Sequence, residues 1–141
     1  MFFGDNVQDT RALFFSSWRK YRLKEALSPL EQQLVEVITA HPEYHALLEQ
    51  EDFYLKQEYF PELGQTNPFL HLGLHLAIRE QVATNRPFGI KKCFQDLLNR
   101  YGDPLTVEHK MMDCLAECLW HAQRNQILPD EAAYLTALSH L

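Results

Sequence analysis

Apolar residues recur along this chain at the three-to-four-residue spacing of helices rather than at the alternation of strands. Val7, Phe14, Trp18 and Tyr21 stripe a first helix of about residues 5–26, and Leu30, Leu34, Val37 and Ile38, followed by His41, stripe a second. Pro42 bends the chain into a short third helix carrying Tyr44, Leu47 and Leu48. A fourth is expected over 68–83, a fifth along Ile90, Cys93, Phe94, Leu97, Leu98 and Tyr101, a sixth from Pro104 to about Asn125, and a short last one from Pro129. The punctuation agrees. Ser28-Pro29-Leu30-Glu31 places a Ser cap, a first-turn proline and a Glu three residues on, which is a capping box. Asn67-Pro68 and Asp103-Pro104 repeat the cap-then-proline pattern, while Gly64, Gly89 and Gly102 fall between the periodic segments as stops and turns. The stretch Glu51–Thr66 mixes acids with Phe53, Tyr54, Tyr59 and Phe60 without a clear period and reads as a covering loop. With no useful period-two strand and no internal repeat, the expectation is all-α: a compact bundle of four longer helices plus shorter packed helices, one helical domain over 1–141.

Composition narrows the function. At 46% hydrophobic and 12% aromatic, the chain of 141 residues is not disordered, and that length supports a core without a disulfide or metal. Thirteen basic against nineteen acidic residues leave a net charge of −6, which argues against nucleic acid. No run approaches the ~18 apolar residues of a membrane span. The start, Met1-Phe2-Phe3-Gly4-Asp5, lacks a charged-then-apolar signal segment, and three cysteines without framework spacing suit reduced thiols. A cytoplasmic protein is expected.

The chemistry lies in polar residues on apolar faces. The fourth helix is apolar almost all round, leaving Gly73, Arg79 and Glu80 as its solvent side, and His71 and His75 sit four residues apart within it. Imidazoles at i and i+4 stack on one face and can grip one metal ion. On the sixth helix, an arc of Met112, Leu115, Ala116, Leu119 and Trp120 contains His109, with Asp113 four residues on at its edge. Three imidazoles and a carboxylate make a full set of ligands for zinc, or most of one for iron or manganese. His41 and His45 add ligands if the second and third helices face the same pocket. The alternative is that backbone carbonyls, carboxylates or trapped water satisfy these rings, His109 and Asp113 forming only an intrahelical hydrogen bond. His71-Leu72-Gly73-Leu74-His75 has the spacing of the zinc-protease helix but Leu72 where that chemistry needs Glu, which disfavours a metalloprotease. Cys114, Cys118 and His121 form a second group at i, i+4 and i+7; without a Cys-x2-Cys to complete four ligands they read as packed small side chains, and Cys93 as core. There is no phosphate loop, nucleophile elbow or dinucleotide fingerprint, so no nucleotide or flavin is implied. Arg19, Lys20, Arg22 and Lys24, like Lys91 and Lys92, read as solvated faces.

Several blocks together carry a resemblance: Leu30-Glu31, His41-Pro42-Glu43-Tyr44-His45, the long run from Gly64 through Leu72, His75-Leu76-Ala77-Ile78, and His109 through Gln123. Over nearly its full length the chain resembles the bacterial domain-of-unknown-function family DUF1841. The resemblance implies a small, soluble, bacterial, cytoplasmic protein and carries no activity with it. It also implies an acid at the position of Asp113, often the longer Glu. By architecture alone the scheme is similar to helical-bundle metal proteins with inward His-x3-His pairs, such as hemerythrins and DinB-like bundles. Two functions from different classes follow. One is a bundle binding one or two divalent ions through His71, His75, His109 and Asp113, its reaction unnamed. The other is a metal-free protein-interaction module with structural histidines, whose partner surface is the aromatic stretch Phe53–Phe60. A third is a pH- or redox-responsive bundle using the same His and Cys residues.

Overall fold

The computed structural model describes residues 7–60 and 63–141, with side chains from residue 9 onward. Among these residues every regular element is helical: α1 (Val7–Arg22), α2 (Pro29–Thr39), α3 (His45–Leu48), α4 (Glu51–Tyr54), α5 (Pro68–Thr84), α6 (Ile90–Tyr101), α7 (Pro104–Asn125) and α8 (Glu131–Ser139), with a 3-10 turn, Pro42–Tyr44, before α3. None is long and apolar enough to cross a membrane. The expected onset of the first helix at residue 5 and the side chain of Val7 lie outside the described residues. The chain divides within α5 into two compact units, one ending at Leu76 and the other beginning at Ala77.

In the first unit, Phe14, Phe15 and Trp18 of α1 bury against Leu34, Val37 and Ile38 of α2, with Leu48, Phe69, Leu72 and Leu76 closing the cluster. Each such side chain contributes about 1.5–3 kcal/mol on burial. The capping box forms as expected: the Glu31 N–H donates to Ser28 Oγ at 3.2 Å, and the Ser28 N–H donates to Glu31 Oε1 at 2.8 Å. Lys20 reaches the other carboxylate oxygen at 2.8 Å. Helix α1 ends at Arg22 rather than near residue 26. Lys24 adopts the left-handed conformation (φ 59), and the Glu25 and Lys24 N–H groups donate back to the Lys20 and Tyr21 carbonyls, a Schellman closure without glycine. Tyr21, expected on the buried stripe, is 46% exposed but stacks on Trp18 with ring centroids 5.3 Å apart.

The segment expected to be a loop contains the one-turn helix α4. Phe53 is exposed, whereas Tyr54, Leu55 and Tyr59 pack on the core. Arg11, buried on α1, holds this segment down: its guanidinium donates to the carbonyls of Leu55 (3.3 Å) and Gln57 (2.6 Å) and lies 4.8 Å from the Phe69 ring centroid.

In the second unit, Ile78, Ile90, Leu97, Val107, Met111, Met112, Leu115, Tyr134 and Leu138 are buried. Asp103 caps α7 by accepting from the Thr106 N–H, as its position before Pro104 predicts. The last helix begins at Glu131, two residues later than expected, because Asp130, not the Leu128-Pro129 pair, supplies the cap by accepting from the Ala133 N–H at 3.0 Å. Arg79 pairs with Glu108 through both guanidinium Nε (3.2 Å) and Nη2 (3.3 Å). Two assignments of face are corrected. On α5, Gly73 is buried and Leu70 is 47% exposed, and on α7 Trp120 is 52% exposed beneath the Arg124 cation.

Candidate metal centre

Proline disfavours helical geometry in the residue before it. Pro42 therefore takes His41 out of α2 (φ −125, ψ 70), and its ring folds back onto the helix end it has just left. There Nδ1 meets the Val37 carbonyl at 2.8 Å. A carbonyl oxygen can only accept, so Nδ1 carries the proton and Nε2 presents its lone pair.

Helix α5 supplies what that lone pair faces. Asn67 caps the helix, its side-chain oxygen accepting from the N–H groups of Phe69 (3.0 Å) and Leu70 (3.2 Å), and Pro68 follows at the first position. This places His71 in the first full turn and His75 one turn later. His71 Nε2 lies 3.0 Å from His41 Nε2, and His75 Nδ1 lies 3.3 Å from the same atom. One ligand nitrogen from each of the three rings falls within 4.8 Å of the others. The His41 ring stands edge-on to both, at 82° to His71 and 89° to His75. His41 and His75 are buried and His71 is half-buried. Tyr44, from the 3-10 turn, stacks on His41 at 5.6 Å and 11°, and burial pushes its phenol above the ordinary range.

These spacings have a specific chemical meaning. Two nitrogens sharing one zinc ion at about 2.0–2.1 Å across a tetrahedral angle stand about 3.3–3.4 Å apart, and across an octahedral right angle about 3 Å. A neutral imidazole has one in-plane lone pair, enough for one good hydrogen bond. Two ring nitrogens converging on the same Nε2 form a group that could hold a metal ion, while one N–H···N hydrogen bond uses up that lone pair. The Val37 carbonyl behind His41 orients the ring as outer hydrogen-bond partners orient metal-bound histidines.

The other residues singled out from the sequence fall as follows. His45 does not join the three: its Nε2 bonds the Ile38 carbonyl at 2.8 Å and its ring packs on Trp18, so the backbone satisfies it. His109 is half-buried on α7 in the second unit, and Asp113, one turn on, is exposed. Cys114 and Cys118 are half-buried free thiols lining a hollow between α7 and α8. Sequence reasoning gave His41 only a conditional place, although its Nε2 is the atom on which the other two rings converge. The His41-Pro42 step was the available signal.

Among known proteins, the model of the family described as a domain of unknown function, DUF1841, matches residues 6–140. No curated protein and no solved structure matches the chain. The match takes in α1 through α8 and all three converging imidazoles, and the chain belongs to the DUF1841 family.

Proposed function

We propose that this protein binds one divalent transition-metal ion through His41, His71 and His75. The observation that carries this reading is the pair of nitrogen separations at His41 Nε2, 3.0 and 3.3 Å. An all-imidazole set suits zinc, iron(II), copper or nickel better than magnesium or calcium, which prefer oxygen. Exposed Asp113 is outside the proposed set, which leaves manganese less favoured than the other ions. Three histidine donors leave a fourth position open for a water, which a divalent ion makes nucleophilic near neutral pH.

Zinc equilibrium dialysis of protein stripped with chelator, followed by elemental analysis, tests the reading. One zinc per chain is expected for the parent, and none above background for His75→Ala with its helical circular dichroism retained. Equal zinc in parent and His75→Ala would overturn it.

A further inference from the structure

The second unit contains a feature unrelated to the histidine cluster. Helices α7 and α8 and the turn between them enclose a hollow of about 330 Å³, at the lower end of the about 300–1,000 Å³ of small-molecule sites. Its walls are mainly apolar, from Ala122, Ala133, Tyr134 and Ala137, with the Cys114 and Cys118 thiols. Tyr134 is fixed at the back, its hydroxyl donating to Gln81 Oε1 at 2.8 Å. At the mouth, Ile127 is largely exposed and Leu128 is 87% exposed, so apolar surface continues outward from the hollow into water. Exposed leucine beside an apolar cavity marks a place where a ligand can replace water.

Glu117 and Asp130 line the hollow together with the imidazole of His121, and no lysine or arginine is among its lining residues. Burial, helped by the carboxylates of Asp113 and Glu117 at Cys114 and of Asp130 and Glu131 at Cys118, raises both thiols above their ordinary range. The thiols are therefore neutral wall groups, and the Cys118 Sγ lies 3.8 Å from the Asp130 carbonyl. Apolar walls under an acidic rim complement a molecule with an apolar body and one positive charge, and repel its anionic counterpart.

We propose that the hollow between α7 and α8 binds a small amphipathic cation, its apolar body against Ala133, Tyr134 and Ala137 and its ammonium group beside Glu117 and Asp130. Cys118 reports occupancy, because a ligand in the hollow shields it from alkylation. The test measures iodoacetamide labelling of Cys118 by peptide mass spectrometry in the presence of hexylammonium, or of hexanoate of equal chain length. Saturable slowing by hexylammonium is expected, about tenfold at ten times its Kd, with hexanoate ineffective. Glu117→Gln is expected to weaken hexylammonium about fivefold, and Ala137→Phe, which fills the cavity, to abolish its effect. No protection by hexylammonium, equal protection by hexanoate, or an unchanged Kd in Glu117→Gln would each overturn the proposal. Because Ala137→Phe can disturb packing, the Glu117→Gln result decides where that variant loses helical signal.

Discussion

The Nε2 of His41 lies 3.0 Å from the Nε2 of His71, while the opposite ring nitrogen of His41 is tied to the Val37 carbonyl at 2.8 Å. A helix end thus fixes both the tautomer of one imidazole and its aim at the next. His45, four residues along, makes an equally short bond to the Ile38 carbonyl with Nε2, and that engagement keeps its ring out of the cluster. The same backbone device fixes one nitrogen of each ring and aims only His41 at the α5 pair.

From this contrast comes a paired expectation. His45→Ala lowers stability by about 1 kcal/mol through the lost hydrogen bond, with more from its packing on Trp18, and leaves zinc content unchanged. His41→Ala abolishes zinc content. Urea unfolding and elemental analysis of the two variants, run together, check it.

The capping box at Ser28 makes stability depend on acid. The Lys20 ammonium and the Ser28 backbone N–H hold the half-buried Glu31 carboxyl well below its ordinary 4.5, at about 2. A carboxyl with a depressed folded pKa stabilises fully above its unfolded value, and that contribution fades as pH falls through the folded one. Glu31→Gln keeps a side-chain acceptor at the third helical position but loses the charge. Its Tm is expected to be lower than the parent's at pH 7, with the gap closing between about pH 4.5 and 2. Thermal melts across that range measure the gap; a gap independent of pH would contradict the assignment.

Arg11 is the tether of the 51–60 segment. Arg11→Met keeps much of the apolar stem but removes the bonds to the Leu55 and Gln57 carbonyls and the cation over Phe69. Destabilisation of about 2–3 kcal/mol is expected, with proteolytic cleavage appearing first between residues 51 and 60. Cleavage sites in limited proteolysis, mapped by mass spectrometry, give the readout.

Much of the architecture was legible because proline and cap residues mark where helices start. Ser28, Asn67 and Asp103 each precede a first-turn proline and each caps a helix. Helix ends were harder. Lys24, Asn85 and Gln126 all take positive φ at helix ends without the glycine that would announce it. Lys24→Gly is accordingly expected to stabilise by up to about 1 kcal/mol, since it relieves the left-handed conformation of a residue with a Cβ; chemical denaturation measures it. Faces were misassigned where a side chain says little about its surroundings. Gly73 has no side chain to weigh on a helical wheel, yet it is buried, and Trp120 finds cover from Arg124 while remaining half in water.

The His71 and His75 pair could be read from spacing alone, since i and i+4 share a helix face whatever the tertiary structure. The convergence of His41 on that pair could not. It depends on a chain reversal at Pro42 that brings residues 30 and 34 positions apart together, and periodicity holds no information about such long-range contact. Arg11 was invisible for the same reason, being a lone cation in an apolar run whose acceptors are backbone carbonyls more than forty residues away.

Cobalt(II) titration of the chelator-stripped protein, followed in the visible spectrum, is the most direct test that three imidazoles converge to share an ion. Intense bands of a nitrogen-bound ion of low coordination number are expected, saturating at one equivalent per chain and absent from His41→Ala and His71→Ala variants that keep their helical signal. A spectrum that stays that of the hydrated ion throughout the titration, or bands that survive both substitutions, would contradict it.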